Sequence, residues 1–186
     1  LRLSPAITVP AALLGAIFVY KTGVAGGWWD FHAFAGTVFG DPTLTLRTDI
    51  WAFATKKIAE APWLGYGFEV FWGAGPDSPS LREGPGFVAK MPHAHNGYLD
   101  LVLQTGAVGF VICMSIFVWM LHLAGRVART SLPLAFFGLA VMWFLLLYNG
   151  LETTFFRGFN MKSIMMFVVI GLFVSHLAIE RERGRR

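Results

Sequence analysis

Residues 98–124, YLDLVLQTGAVGFVICMSIFVWMLHLA, form the stretch that decides the fold class. The central part of this stretch carries no charged side chain. A helix of about 20 apolar residues is long enough to cross the hydrocarbon core of a bilayer. A buried helix of a soluble protein usually shows a polar stripe at helical spacing, and such a stripe is nearly absent here. The stretch therefore predicts a transmembrane helix.

Other apolar segments have the same character. Residues 132–148 and 163–179 are long enough to cross a bilayer, and residues 6–20 form a shorter segment that Pro10 interrupts. The whole chain is 55% hydrophobic and only 14% charged, whereas soluble domains are about 25% charged. We expect an all-α fold, a polytopic transmembrane helix bundle that forms a single membrane-integral domain over residues 1–186, as a fragment of a longer protein.

Basic residues near the ends of the segments predict their orientation. The tail after residue 179 and the short loop of residues 125–131 contain arginines and are separated by two spans, so they share a side. The positive-inside rule makes that side cytoplasmic. A large loop, residues 21–97, and a short loop, residues 149–162, are then expected on the external side.

The large external loop carries an amphipathic helix. In RTDIWAFATKKIAEA, residues 47–61, apolar side chains fall on one face, and the basic pair Lys56 and Lys57 falls largely on another. We expect this helix to lie along the membrane surface, with both lysines toward solvent or lipid headgroups. Residues 73–92 are rich in Gly and Pro without periodicity, which predicts a loop able to move over a site.

Polar and ionisable side chains gather directly before the span of the opening stretch. If a helix begins near His95, then Asn96, Asp100 and Gln104 follow at four-residue spacing along one stripe. His93 and His95 lie at or before its first turn, where free backbone N–H groups favour anions. A neighbouring carboxylate such as that of Asp100 can orient an imidazole and raise its basicity. The residues alone leave open whether this is a catalytic site or a packing stripe with interfacial histidines.

Further candidates lie elsewhere in the external loops. Arg47 opens the amphipathic helix, and a guanidinium group matches phosphate oxygens in bidentate fashion. A contact with lipid headgroups is the alternative for this arginine. Glu152 and Arg157 in the short loop could line the same site, or they could form a local ion pair.

The sequence predicts neither a metal nor a cofactor. His93 and His95 with Asp100 could supply three zinc ligands, but no second His or Cys cluster supports such a site. A glycine-rich phosphate loop is absent, so a nucleotide is not expected. The net charge of +4 does not indicate nucleic-acid binding, because the basic residues are distributed as topology signals.

His95-Asn96, followed by Gly106-Ala-Val-Gly109, resembles the His-Asn signature of the O-antigen ligase family. That family also includes bacterial polysaccharide polymerases and protein O-oligosaccharyltransferases. The upstream RTDIW and APWLGYGF resemble the family's arginine–tryptophan helix and its Pro-x-Leu-Gly-x-Gly segment. The order of a large external loop that contains the arginine and ends in the histidine agrees as well. The resemblance covers roughly residues 40–180 and corresponds to the carboxy-terminal part of the family.

This resemblance implies a metal-independent glycosyltransferase of the bacterial inner membrane, surrounded by membrane lipids and with its active site in the periplasm. The donor would be a glycan on undecaprenyl diphosphate, and the acceptor a sugar hydroxyl on lipid A-core or on a growing polysaccharide. By position, His95 would be the catalytic base and Arg47 the diphosphate-binding arginine. From their own positions rather than from the resemblance, the residues expected to bind substrate are Asn96, Asp100, Tyr98, His93, Trp51, Arg157 and Glu152. A lipid-glycan transporter or flippase, or a non-catalytic membrane component, is the alternative.

Overall fold

A computed structural model describes residues 46–73, 75–154 and 161–186, together with Asp30, Ala33, Gly36, Thr37 and Gly40. The chain divides into two compact units, Leu1–Asp49 and Ile50–Arg186. The span expected at residues 6–20 lies outside the described residues. The division of the whole chain into one membrane domain with external loops stays a prediction.

The described residues contain helices and no strand, which confirms the all-α class. Within residues 46–96, of which the structure describes all but residue 74, two α-helices and one 3₁₀ helix precede the long helices: α1 at Arg47–Glu60, α2 at Pro79–Glu83 and the 3₁₀ helix at Gly86–Lys90. Three long helices follow: α3 at Gly97–Val127, α4 at Leu132–Leu151 and α5 at Met161–Arg183.

These three long helices are each long and apolar enough to cross a membrane. They correspond to the spans expected at residues 98–124, 132–148 and 163–179. Every pair of the three packs together. Gly138 of α4 lies so close to the ring of Phe173 in α5 that any larger side chain would collide with it. Inside a bilayer the hydrophobic effect does not drive helices together. Small residues that let two helices approach closely therefore favour their packing there.

The amphipathic helix expected at residues 47–61 is present as α1, but one of its lysines is buried. Ile50 and Phe53 point into a core shared by the segments around α1. The Lys57 side chain, expected toward solvent or headgroups, is only 4% exposed. Its ammonium donates to Glu60 at 2.6 Å and also to Glu83 of α2. These hydrogen bonds raise the pKa of Lys57 to about 12. The expectation holds for Lys56, which is exposed. It was wrong for Lys57, because helical spacing reveals nothing about a carboxylate from a distant segment.

Residues 73–92 are not the featureless loop that their composition predicts. Pro79 lies in the first turn of α2, where its missing N–H is harmless, and Gly84 follows the end of that helix. Val88 of the 3₁₀ helix is 1% exposed and belongs to the same core as Ile50. The hydrogen bond from Lys57 to Glu83 attaches α2 to α1. The movement of this segment over a site stays a prediction.

A break at Gly106 divides α3. Gly106 has φ 64° and ψ −167°, a combination open almost only to glycine. In an unbroken helix, Ala107 and Val108 would donate to the carbonyls of Leu103 and Gln104. The break separates these four backbone groups. In apolar surroundings each unpaired group would cost on the order of several kcal/mol.

The segment of residues 62–67, PWLGYG, supplies the missing partners. Four backbone hydrogen bonds join it to α3: Tyr66 N–H to Leu103 O at 2.8 Å, Gly67 N–H to Gln104 O at 3.0 Å, Ala107 N–H to Pro62 O at 2.8 Å and Val108 N–H to Trp63 O at 3.2 Å. A side chain at Gly65 or Gly106 would collide with the facing backbone. The two glycine motifs of the sequence are therefore the two sides of one backbone junction.

We expect Gly106→Ala to destabilise the protein by at least about 1–3 kcal/mol, because the backbone conformation is strained for any other residue. The added methyl group would also collide with the Trp63 carbonyl. Thermal unfolding of the detergent-solubilised protein measures this effect. In α5, a methyl group at Gly171 meets nothing within 4 Å, so Gly171→Ala is the matched control and should unfold at or slightly above the wild-type temperature. Equal unfolding temperatures for Gly106→Ala and Gly171→Ala would contradict the claim that the junction at Gly106 stabilises the protein.

Candidate active site

His93, Ala94 and His95 form a turn directly before α3. His95 has a φ of 50°, which is uncommon for a residue other than glycine. Its backbone N–H donates to Nδ1 of His93 at 3.1 Å, and the two ring centroids lie 4.0 Å apart. A backbone N–H can only donate, so Nδ1 of His93 is an acceptor. The neutral ring of His93 therefore carries its proton on Nε2.

Asn96 caps α3 and fixes how the histidine turn enters the helix. Its side-chain oxygen accepts from the N–H groups of Tyr98 at 3.0 Å and Leu99 at 3.2 Å. Such a cap satisfies N–H groups that have no partner inside the helix. The hydroxyl of Tyr98 donates to the carbonyl of Leu146 at 2.7 Å. The first turn of α3 is thus fastened both to its own cap and to α4.

The carboxylate of Asp100 connects three segments of the chain. It is 0% exposed, and each of its oxygens lies 3.1 Å from the backbone nitrogen of Ala94. The indole N–H of Trp72 donates to it at 2.6 Å, and the hydroxyl of Thr153 donates to it as well. A buried carboxylate is tolerated when hydrogen bonds satisfy it in this way. Asp100 therefore holds two positions through hydrogen bonds: Ala94, which lies between the two histidines, and Thr153, which follows Glu152.

Glu152, at the end of α4, lies against His95. Both of its carboxylate oxygens are 3.2 Å from Nδ1 of His95. The two side chains are 27% and 33% exposed, so solvent reaches the pair. A carboxylate at Nδ1 favours the tautomer with the proton on that nitrogen, which leaves the lone pair of Nε2 free. A histidine arranged in this way can accept a proton from a substrate hydroxyl.

Two of the predicted site residues lie on α1. The indole N–H of Trp51 donates to the carbonyl of Ala94 at 2.9 Å, which fastens α1 to the histidine turn. Arg47 is the first residue of α1 and belongs to the other compact unit, so its convergence with His95 stays a prediction. Arg157 lies outside the described residues. The predicted residues that surround the start of α3 are Trp51, His93, His95, Asn96, Tyr98, Asp100 and Glu152.

His93, His95 and Glu152 also form a group that could hold a metal ion. One potential ligand atom from each lies within 4.8 Å of the other two. In the observed hydrogen bonding, Nδ1 of His93 accepts from a backbone N–H, and Nδ1 of His95 lies against Glu152. A metal bound through either nitrogen would displace one of these contacts. The expectation that no metal takes part stays a prediction.

Two contributors to the site, Trp72 and Thr153, have no local signal in the sequence. Both reach Asp100, but no spacing rule connects a loop tryptophan or a threonine after α4 with a residue in α3. The stripe of Asn96, Asp100 and Gln104 was a usable signal. The side-chain oxygen of Gln104 accepts from the backbone N–H of Glu69 at 3.0 Å, so every residue of the stripe makes a polar contact.

We expect Asp100→Asn to destabilise the protein by about 1–3 kcal/mol, because the amide turns an N–H₂ group toward donors that need an acceptor. Hydrogen exchange of residues 91–96, followed by mass spectrometry, should become faster. Asp77 is exposed, so Asp77→Asn is the control and should leave exchange unchanged. Wild-type exchange rates in Asp100→Asn would contradict the role of this carboxylate in holding the turn.

Comparisons with known proteins identify the family of the chain. A family model described as O-antigen ligase matches residues 2–114, a range that includes α1, the PWLGYG segment and the histidine turn but not Glu152. The exopolysaccharide production protein ExoQ of Rhizobium meliloti (strain 1021) is 23% identical over 112 residues. That alignment covers 59% of this chain and 25% of ExoQ, so the chain spans only a part of this curated relative. No solved structure matches the chain. With its apolar helices and this match over more than half its length, the chain is a membrane protein that belongs to the O-antigen ligase family.

Proposed function

We propose that this chain carries the catalytic base of a membrane glycosyltransferase. The enzyme moves a glycan from undecaprenyl diphosphate to a sugar hydroxyl on the periplasmic side of the inner membrane. The family supports a role of glycan transfer in polysaccharide biosynthesis. The observation that carries the proposal is the pair formed by His95 and Glu152, with Nδ1 at 3.2 Å from both carboxylate oxygens.

In the proposed reaction, Nε2 of His95 accepts the proton of the acceptor hydroxyl while the hydroxyl oxygen attacks the anomeric carbon of the donor. The bond from that carbon to the diphosphate oxygen breaks, and its electron pair leaves with the lipid diphosphate. Glu152 keeps the imidazole oriented and stabilises the imidazolium that forms. The diphosphate is a good leaving group, so cations that stabilise its negative charge matter more than an acid. The reaction as written needs no metal.

Arg47 is the proposed ligand of the donor diphosphate. Its planar guanidinium can make two parallel hydrogen bonds to phosphate oxygens. On α1 it precedes Trp51 by four residues, and residues at this spacing share a face of a helix. The indole N–H of Trp51 donates a hydrogen bond to the carbonyl of Ala94, the residue between the two histidines. Arg157, in the loop after Glu152, is proposed as a further substrate contact.

A transporter of lipid-linked glycans is the competing function. Transporters place ionisable groups near the middle of the membrane, where their substrate site lies. Among the described residues, His95, Asp100 and Glu152 lie at the ends of α3 and α4 instead. Covalent transfer of glycan by the purified intact protein would favour the enzyme. Movement of glycan without a covalent product would favour the transporter.

We expect His95→Ala in the intact protein to lower glycan transfer by about 10²–10⁴-fold, because the attacking hydroxyl loses its base. Glu152→Gln should lower the rate by a smaller factor, because the imidazole remains but its orientation and charge are less well supported. Transfer is measured with membranes or purified protein, a lipid-linked donor and an acceptor glycan. Each variant should accumulate in the membrane like the wild type.

Imidazole added to His95→Gly tests the chemistry directly, because a free imidazole can replace a missing base but cannot repair a misfolded turn. A partial recovery of the rate is expected. His122 is exposed toward the other end of α3, so His122→Ala is the control and should transfer glycan normally. Glycan transfer by His95→Ala at the wild-type rate would refute the assignment of His95 as the base.

We expect Arg47→Ala to raise the KM for the lipid-linked donor while leaving the KM for the acceptor unchanged, because only the donor carries a diphosphate. Arg47→Lys should restore part of the affinity, since a lysine keeps the charge but loses the bidentate fork. Arg82 is exposed on α2, and Arg82→Ala serves as the control. An unchanged donor KM in Arg47→Ala would remove this residue from the donor site.

A gel of surface glycans from a deletion strain would separate the acceptor classes. Loss of every O-antigen band on lipid A-core would identify a ligase, whereas a single added repeat unit would identify a polymerase. Unchanged lipopolysaccharide together with a lost exopolysaccharide would identify a polymerase of that other product.

A further inference from the structure

A cleft of about 550 Å³ lies beside the histidine turn, within the unit Ile50–Arg186. Its volume is in the range of pockets that hold small molecules or a few sugar rings, about 300–1,000 Å³. The residues that matter for its chemistry are Glu69, Trp72, Lys90, Met91, Pro92 and His93. We propose that this cleft binds the acceptor saccharide, an inference that rests on the proposed function.

The lining combines apolar surface with a small number of polar groups. Trp72, Met91 and Pro92 offer apolar contact, and Glu69 and Lys90 offer charged hydrogen-bonding groups. A sugar ring has the matching character, with C–H groups on its faces and hydroxyl groups around its rim. Tryptophan suits such a ligand because its large rigid ring provides contact area at a low cost in conformational entropy.

The orientation of the Trp72 ring is fixed before any ligand arrives. Its indole N–H donates to Asp100 at 2.6 Å, and its ring packs edge-on against Phe71, with the centroids 4.8 Å apart. The lining also includes Lys90 of the 3₁₀ helix, the next helix after α2. The bond from Lys57 to Glu83 holds α2 in place. A preformed cleft avoids the loss of affinity that ordering on binding causes.

The charges in the cleft favour a saccharide over the lipid diphosphate. Among the described lining residues, Lys90 is the single cation, and the carboxylates of Glu69 and Asp100 line the same cleft. No arginine is among these residues. A diphosphate requires several cations or donors that converge on its oxygens. The described lining therefore suits the hydroxyl groups of a sugar better than a diphosphate.

His93 connects the cleft with the base. It lines the cleft, and its ring centroid lies 4.0 Å from that of His95. Its Nδ1 accepts from the backbone N–H of His95, so its Nε2–H is a donor that suits a sugar oxygen. A saccharide that lies in the cleft against His93 would have its terminal sugar next to His95, the proposed base. That is the position required of an acceptor hydroxyl.

Binding is tested first without any donor. The probes are oligosaccharides of one to three repeat units, released from the surface polysaccharide of the producing cell. Their affinity for the intact detergent-solubilised protein is measured by saturation-transfer NMR and calorimetry. Trp72→Ala should weaken binding by about tenfold or more. Trp63 is 71% exposed and is not among the cleft residues, so Trp63→Ala is the matched control and should bind like the wild type.

Steady-state kinetics then separate the acceptor from the glycan part of the donor. Trp72→Ala should raise the KM for the acceptor and leave the KM for the lipid-linked donor unchanged. A raised donor KM alone, or no saccharide binding by the wild type, would overturn the proposal. If Trp72→Ala fails to accumulate, Glu69→Gln and Lys90→Gln replace it, because both side chains are exposed. Unchanged acceptor affinity in both of these variants would also overturn it.

The binding measurement is independent of the catalytic assignment. His95→Ala should still bind the oligosaccharides, although its rate of glycan transfer should fall by about 10²–10⁴-fold. Binding that depends on Trp72 in a protein without transferase activity would refute the proposed function and keep the saccharide cleft. Transfer that is unaffected by Trp72→Ala, with no binding by the wild type, would refute the cleft and keep the transferase.

Discussion

The buried carboxylate of Asp100 is the contact on which the rest of the site depends. It accepts hydrogen bonds from the backbone of Ala94, from the indole of Trp72 and from the hydroxyl of Thr153. Each donor belongs to a different part of the site: the histidine turn, the wall of the cleft and the end of α4 that carries Glu152. Loss of one donor leaves the charge satisfied by the others, whereas loss of the carboxylate removes a hydrogen bond from all three segments at once. One side chain therefore sets the relative positions of His95, the proposed base, of Glu152 and of the cleft.

The junction at Gly106 provides the rigid support for this arrangement. A loop that only rested on a membrane helix would be free to shift, and a shift of about 1 Å is enough to impair catalysis. Here the PWLGYG segment is joined to α3 by four backbone hydrogen bonds, and its glycines allow the two backbones to approach. Irregular backbone at membrane depth is tolerated only where other protein groups satisfy it. The break and the segment that fills it therefore require each other.

The sequence predicted those features whose cause is local. Long apolar segments predicted α3, α4 and α5, and the helical spacing of residues 47–61 predicted α1. The four-residue stripe in α3 identified Asn96 and Asp100 as residues with polar roles. Features caused by contacts between distant segments gave no such signal. The burial of Lys57 depends on Glu83, and the position of Glu152 depends on how α4 packs beside α3. The sequence suggested a carboxylate at an imidazole and offered Asp100, whereas the carboxylate in contact with His95 Nδ1 belongs to Glu152.

The two histidines illustrate how neighbouring groups give one residue type two different roles. Nδ1 of His93 accepts from a backbone N–H, so this ring offers an N–H donor at Nε2. Nδ1 of His95 lies against Glu152, so this ring offers a lone pair at Nε2. A donor and an acceptor thus stand on adjacent rings whose centroids are 4.0 Å apart. A hydroxyl group needs both, because its oxygen accepts a hydrogen bond while its proton is removed. Opposite tautomers, set by two different hydrogen bonds, therefore suit the proposed acceptor, a sugar hydroxyl, better than a pair of identical imidazoles would.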